Sequence, residues 1–406
     1  MSKDDKSQDS IKRSDRRRFL RGLGGTAVAA TTLAGCTGNG GNGNGGNGGN
    51  GGNGGGNGNG DSGNGGSTGN GDGGEELADE ISFMSWGGSF LESMSYYADG
   101  FEEEYGVTVN TVGASSGHEM LSRIEAGAQD VHIINPEEVP AYGAVQDDLV
   151  QPIRKENISN YDKIQDAWNP DDAIYDPGEE IHHIPHVYGG TGLVYNHDQL
   201  EEPTSWMDIM TEDLMGDHVY FNYPNYVVMQ AALALGIDIN EAAGDEEAME
   251  EIWNFVAERN DAVVQWSESG SQTMELFTNE SALAWSLWVG RTHALQQDDV
   301  PVTYTVPEEG AYAWINVLNI PSYVEDPARK TAEYFLDYML EEEPTTQFVQ
   351  DQVYAPPIEY TETEPPDILE GNPDVEHIDR LASLDPAVYN EHVSDWEKRF
   401  QELVRA

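Results

Sequence analysis

The chain has 406 residues, with 20 lysines and arginines against 74 aspartates and glutamates, which gives a formal net charge of −54 at pH 7. So acidic a surface argues against nucleic acid as a partner. At molar salt, where the Debye length is ~3 Å, the repulsion among carboxylates is screened, and we interpret the charge as adaptation to very high salt. The chain has one cysteine, Cys36, so no disulfide can form within it.

The front of the chain has the pattern of an export signal. Arg16-Arg17-Arg18-Phe19-Leu20 precedes a short run of small apolar residues, and Leu33-Ala34-Gly35-Cys36 has the form of a lipobox. The apolar run is too short for a transmembrane helix, which needs ~20 apolar residues. We therefore predict a twin-arginine signal peptide over 1–35 and lipidation of Cys36. A disordered Gly/Asn-rich tether over 36–79 would then hold the protein at the extracellular face of the cell membrane.

After residue 80, the pattern alternates between strands and helices. The alternation predicts strands at 81–86, 107–112 and 131–134, with helices at 90–105 and 115–126 between them. A β-α-β-α-β order favours a parallel, doubly wound lobe. Ligands on such sheets bind beyond the carboxyl ends of the strands, where Trp86, Ser115, Ser116 and Asn135 fall.

A second α/β unit follows a glycine-rich stretch at 181–196. That stretch is predicted to form two strands around a joint, which we interpret as the first crossing between two lobes. The following strands are predicted at 219–221, 262–265 and 281–288, with helices at 226–235, 243–259, 271–277, 327–340, 345–352 and from 375 onward. We predict that lobe 1 comprises 80–187 and 281–318, and that lobe 2 comprises 188–280 and 319–406.

Several short motifs, in this order, carry a resemblance to a known family. They are Trp86-Gly87-Gly88, Ile184 to Gly192, Thr204-Ser205-Trp206, Trp288-Val289-Gly290-Arg291, Pro307 to Trp314, and Tyr354-Ala355-Pro356-Pro357. Residues 80 to 360 resemble the two-lobed solute-binding proteins of ABC importers, in the spermidine/putrescine-binding branch. The resemblance implies an α/β, type II periplasmic-binding-protein-like fold with a small-molecule solute in the cleft between the lobes. It also implies a permease and its ATPase as partners, a monomer, no cofactor, no metal and no enzymatic activity.

The resemblance also implies a binding site, with departures from the family pattern. In the polyamine binders, aromatic rings box the ligand and acidic side chains hold its ammonium ends. The carried-over box is Trp86, Trp288, Trp314 and Tyr354. Where the family has acids, this chain has Tyr223, Tyr226 and Asn316; Glu138 replaces a tyrosine, and Arg291 adds a cation. Ser89, Ser115 and Ser116 complete the candidate set. We hypothesise an anionic or zwitterionic ligand whose carboxylate or phosphonate binds Arg291.

Two other functions remain open at this point. Gly113 to Gly117 matches Gly-x-Ser-x-Gly, so a serine hydrolase could use Ser115 with His293, His377 or His392. A protein that presents a ligand to a chemoreceptor would share the same fold. For His182, His183 and His186, packing and hydrogen bonding at the hinge are favoured over zinc, which would need further ligands in a fixed geometry.

Overall fold

The computed structural model describes residues 77–176, 178–211, 214 and 216–404, without the side chain of Asp261. The predicted signal peptide, Cys36 and nearly all of the tether therefore lie outside the described residues. Everything described belongs to a single compact unit. None of the helices in this part of the chain combines the length and the apolar character that crossing a bilayer requires.

The described chain alternates between strands and helices along most of its length. The strands are β1 Glu80–Trp86, β2 Thr108–Ala114, β3 Ile133–Ile134, β4 His183–Asn196, β5 His218–Phe221, β6 Val263–Ser267, β7 Ala284–Leu287, β8 Val302–Thr305, β9 Ala311–Asn319 and β10 Leu381–Ala382. The first seven helices are α1 Ser89–Ser93, α2 Ser95–Tyr105, α3 Gly117–Glu125, α4 Glu138–Gln146, α5 Trp206–Ile209, α6 Pro224–Leu235 and α7 Ile239–Ala242. The others are α8 Glu246–Arg259, α9 Gly270–Thr278, α10 Val289–Gln297, α11 Ala328–Tyr338, α12 Glu342–Gln352, α13 Pro373–Glu376 and α14 Pro386–Val404. Short 3-10 turns cover Lys155–Asn157, Tyr161–Lys163, Asp166–Trp168, Pro170–Asp172, Asn260–Ala262, Asp367–Leu369 and Ile378–Arg380.

The strands form one continuous sheet with two parallel ends and an antiparallel middle. Its order is β2-β1-β3-β9-β4-β7-β5-β6, with β10 beside β9 and β8 beside β4. β1 pairs in parallel with β2 and β3, and β5 pairs in parallel with β6 and β7. Helices join the parallel strands, as the crossover between parallel strands requires. The predicted α/β class is therefore confirmed, with β4 and β9 running between the two parallel groups.

β4 is a single strand where two were predicted. It runs unbroken for 14 residues, all buried, and changes partner part-way: residues 183–191 pair with β9, and 192–196 pair with β7 and β8. The glycines allow close approach of neighbours rather than a break in the strand. A Cβ on Gly192 would lie 2.6 Å from the Tyr304 ring and 2.8 Å from the Thr305 carbonyl oxygen.

Two hydrophobic cores divide the molecule, and we call the parts around them lobe 1 and lobe 2. The lobe 1 core takes its buried side chains from residues 81–188 and 313–369, and the lobe 2 core from residues 193–312 and 384–400, with Val353 also in the lobe 2 core. A smaller cluster packs on the other side of lobe 1, between Met84 and Val150. Residues 281–312 thus pack with lobe 2, and residues 320–369 apart from Val353 pack with lobe 1; for these two segments the arrangement is the reverse of the predicted boundaries. The exact division between domains remains a proposal.

The helices near the candidate site begin and end at residues with a local reason. The predicted helix 90–105 is two helices separated at Met94, and α2 ends at Gly106, which adopts the left-handed conformation with φ of 70°. α3 begins after Ser116, whose side chain accepts a hydrogen bond from the Glu119 backbone N–H at 3.1 Å. These ends place the first turns of α1 and α3 directly after β1 and β2.

Candidate functional site

The candidate residues lie where parallel strands lead into helices. In lobe 1, β1 leads to α1, β2 to α3 and β3 to α4; in lobe 2, β5 leads to α6 and β7 to α10. Helix N-termini carry partial positive charge and unpaired N–H groups, so this edge of the sheet suits polar ligands. The predicted site residues outside these turns are Trp314 and Asn316 on β9, and Tyr354 just after α12.

Three of the predicted aromatic residues meet in lobe 2. The Trp288 ring stacks on Phe221 with centroids 5.1 Å apart, and Tyr226 meets Trp288 edge-on at 6.4 Å. Tyr223 lies 5.9 Å from Tyr226, but it is 44% exposed and donates its hydroxyl hydrogen to the Glu268 carbonyl. The Trp288 indole N–H donates to the Thr191 hydroxyl at 3.1 Å, which ties this ring cluster to β4.

The other aromatic residues lie in lobe 1 and at the junction between the lobes. Trp314 and Tyr354 meet edge-to-face, with centroids 5.0 Å apart. The indole nitrogens of Trp314 and Trp86 are buried, and neither has an acceptor among the described residues. A buried donor without a partner is costly, so both nitrogens favour a ligand or water as acceptor.

Glu138 is buried beside β9, as part of a pair that the sequence analysis missed. Its Oε2 accepts a hydrogen bond from the Ile315 backbone N–H at 3.1 Å, and burial raises its pKa to about 8. The preceding residue, Glu137, has its Oε2 2.5 Å from where a Cβ on Gly117 would stand, and burial raises its pKa to about 7. Within the described ranges, neither carboxylate forms an ion pair with a lysine, arginine or histidine. Asn316, also buried, forms a backbone bridge with Glu137.

Arg291 lies in the first turn of α10 and is exposed. No side chain caps this helix at Trp288, and no residue in the described part of the chain forms an ion pair with Arg291. Burial raises the pKa of Tyr354 to about 12, an effect that the nearby charge of Arg291 partly offsets. Positive charge from a guanidinium and from an uncapped helix N-terminus therefore lies next to an aromatic wall.

The three serines serve the local structure of α1 and α3. Ser115 donates its hydroxyl hydrogen to Glu119, Ser116 caps α3, and the carbonyl of Ser89 accepts from the Gln352 side chain at 3.1 Å. His293 contacts Gln297, and His392 stacks on Trp396. In the described residues, Ser115 hydrogen-bonds to Glu119 and to no histidine, including His377, although a serine nucleophile requires a histidine or another base beside it.

The histidine cluster is held by hydrogen bonds to neighbouring side chains. His182 and His183 each place Nδ1 2.8 Å from a carboxylate oxygen of Asp176, and His186 Nδ1 lies 3.0 Å from the Asn135 amide nitrogen. Among the described residues, no three histidine, cysteine, aspartate or glutamate side chains are placed to hold a metal ion.

Asp374 is a second acid that sequence reasoning missed. It lies on α13 with no exposed surface, and burial raises its pKa to about 7. Tyr304 donates to it at 2.5 Å, and a Cβ on Gly189 would lie 3.0 Å from its Oδ2 and 2.8 Å from the Trp314 ring. No local pattern marks Asp374, whereas two acids directly after the apolar strand β3 could have drawn attention to Glu137.

Comparison with solved structures shows the same fold. The spermidine/putrescine ABC transporter substrate-binding protein PotD from Streptococcus pneumoniae has a TM-score of 0.68 at 20% identity, covering 80% of this chain and 100% of that chain. The Tp0655 (TpPotD) lipoprotein of Treponema pallidum has a TM-score of 0.65 at 16% identity, covering 81% and 100%. The protein AgtB from A. tumefaciens R10, in complex with agropinic acid, has a TM-score of 0.62 at 16% identity, covering 82% and 100%.

These likenesses establish the two-lobed periplasmic-binding-protein fold that the sequence predicted. A family profile described as bacterial extracellular solute-binding protein matches residues 96–372, which span both lobes. The match covers more than half of the 406 residues. The chain therefore belongs to the family of bacterial extracellular solute-binding proteins.

Proposed function

We propose that this protein binds a small zwitterionic solute between its lobes and delivers it, chemically unchanged, to the permease and ATPase of an ABC importer. Family membership supports solute binding, and the structural neighbours include an ABC transporter substrate-binding protein. Ligand contacts from both lobes would favour the closed state over the open one. Protein-derived catalysis has no support at Ser115, whose hydroxyl is bonded to Glu119.

The observation that carries the choice of ligand is that the candidate residues include charges of both signs without an ion-pair partner. Arg291 forms no ion pair, and Glu137 and Glu138 have no cationic partner, within the described residues. A buried carboxylate without a counter-charge is unfavourable, so a ligand ammonium at the acids would relieve that cost. A ligand carboxylate could pair bidentately with Arg291.

The aromatic residues between these charges would bind the ligand's apolar part. The rings of Trp314 and Tyr354 meet edge-to-face with centroids 5.0 Å apart. Tyr354 is also close enough to Arg291 for that charge to lower its pKa, against the larger effect of burial, which raises it. A solute with a short aliphatic chain between an ammonium and a carboxylate matches this order of groups. Among the neighbours, AgtB is in complex with agropinic acid, so the fold also accommodates an acid in that protein.

Titration calorimetry in molar KCl tests this proposal with three probes of similar length: 5-aminopentanoate, putrescine and glutarate. We expect 5-aminopentanoate to bind most tightly because it alone carries both charges. Arg291→Gln should weaken its binding by about 10- to 100-fold, the loss of one charged hydrogen-bonded contact. Arg399→Gln, on the exposed face of α14, is the matched control and should change nothing. Tight putrescine binding that survives Arg291→Gln would refute the zwitterion.

We also propose twin-arginine export and lipidation at Cys36, with the tether over 36–79 holding the folded protein outside the cell. The support is the Arg16-Arg17-Arg18-Phe19-Leu20 and Leu33-Ala34-Gly35-Cys36 motifs, and the lipoprotein among the structural neighbours. As a flexible coil, a segment of this length would reach roughly 35 Å from the membrane.

A further inference from the structure

We propose that Glu137 and Glu138 together hold a proton that the ligand's ammonium group displaces, so that solute capture is coupled to proton release. We call these two residues the carboxyl pair. The inference rests on the proposed function, because it concerns the end of the same site that would receive the ammonium.

Backbone contacts hold the main chain at the carboxyl pair in place; Glu138 is buried and Glu137 is partly buried. The Val317 N–H donates to the Pro136 carbonyl at 2.9 Å, directly before the pair. The Ile315 N–H donates to Glu138 Oε2 at 3.1 Å, and the Glu137 backbone bridges to Asn316. On the other side, Glu137 lies against the first turn of α3 at Gly117, where no side chain larger than hydrogen fits without displacing it.

Within the described part of the chain, the groups that respond to the pair are phenols, and no lysine, arginine or histidine forms an ion pair with it. The negative charge of the pair contributes to raising the pKa values of four phenols: Tyr226 on α6, Tyr312 on β9, Tyr223 before α6, and Tyr175 before β4. α14 also packs against α4, and its Tyr389 interacts with Tyr312. Burial raises the pKa of each of the five phenols above its usual value, so they are uncharged near neutral pH. Two neighbouring carboxylates, one buried and one partly buried, repel each other when no cation pairs with them, and binding a proton removes that repulsion.

A ligand ammonium would supply the missing positive charge and make the proton unnecessary. Burial raises the pKa values of Glu137 to about 7 and Glu138 to about 8, so the empty pair holds at least one proton at neutral pH. Each proton released on binding increases the association constant about tenfold per pH unit, up to the pKa of the pair in the empty protein. Affinity for an ammonium ligand should therefore rise from pH 5.5 to about 8 and level off above it.

The first measurement needs no ligand. Denaturant unfolding of the empty full-length protein in molar KCl is followed from pH 5 to pH 9 for the wild type, Glu138→Gln and Glu137→Gln. An acid whose pKa is raised on folding stabilises the native state relative to glutamine below its unfolded pKa, and this advantage is lost as pH rises through the folded pKa. The ratio of the folding equilibrium constant of Glu138→Gln to that of the wild type should therefore increase by about tenfold or more between pH 5 and pH 9.

Glu250→Gln, on the exposed face of α8, is the control and should show no such pH-dependent difference. If the free energies of unfolding of both variants change with pH in the same way as that of the wild type, the pair binds no proton near neutral pH and the inference is wrong. That outcome would leave the proposed ligand class untouched.

The second measurement is calorimetry of 5-aminopentanoate at pH 6.5 in phosphate and in imidazole, two buffers with different ionisation enthalpies. The heats should differ by an amount equivalent to at least half a proton released per ligand, and the difference should shrink in Glu138→Gln. Binding of equal heat in both buffers would overturn the coupling. An absence of binding in both, together with the expected unfolding result, would reject the zwitterion and keep the proton-binding pair.

Discussion

Substitution of Gly290 by alanine should hold the cleft open. Gly290 lies in α10 of lobe 2, and a Cβ there would be 2.4 Å from the Gln352 carbonyl oxygen and 2.9 Å from the Tyr354 ring. Gln352 ends α12, which packs in the lobe 1 core, and the Tyr354 ring packs against both cores, so this contact lies where the lobes join. Because ordinary contact begins at 3.4 Å, the alanine methyl is about 1 Å too close to a backbone atom. Overpacking of this size costs about 1–3 kcal/mol. Movement of the end of α12 away from α10 would relieve the contact.

If the whole cost falls on the closed state, Gly290→Ala lowers the affinity for a bound solute by about 5- to 150-fold. Calorimetry measures the affinity, and small-angle scattering measures the compaction that ligand causes. Gly143→Ala, in α4, is the matched control: no atom lies within 4 Å of its added Cβ, so binding should be unchanged. Equal affinities for Gly290→Ala and the wild type would show that the contact between α10 and Gln352 does not govern closure.

Three further predictions concern stability and location. Although burial alone would raise its pKa, five donors from Thr361 to Thr363 hold the pKa of Glu342 at about 2. The stabilisation that the Glu342 carboxylate provides should be complete above the unfolded pKa and lost as pH falls through about 2. In denaturant unfolding, Glu342→Gln should therefore cost about 2 kcal/mol at pH 7 and much less at pH 2. The melting temperature should rise as KCl increases from 0.1 M to 2 M because salt screens the acidic surface, and a flat response would contradict adaptation to high salt. Cys36→Ser should release the protein from the membrane fraction of its host; continued membrane attachment would refute the lipid anchor.

Much of the local structure could be predicted because its causes are local. The alternation at Ile81 to Trp86, and the glycine after Tyr105, appear as β1 and as the end of α2. The prediction of two strands over 181–196 was wrong, because the structure has one strand there. A glycine that leaves room for a neighbouring ring, as Gly192 does for Tyr304, cannot be told from a turn glycine by sequence. The roles of Trp288, Trp314 and Tyr354 in ligand binding stay predictions, although their rings lie in aromatic clusters.

By itself, the sequence determined the class of fold, the order of most strands and helices, and the strand ends at which polar and aromatic residues collect, because each depends on side-chain periodicity within a few residues. The tertiary structure decided which of the two cores each returning segment joins, so that Ala284 to Leu287 packs in lobe 2 and Phe335 in lobe 1. It also decided that Glu137 and Glu138 lie among phenols and form no ion pair with any described residue. Both outcomes depend on packing against residues far away along the chain, which no local pattern records.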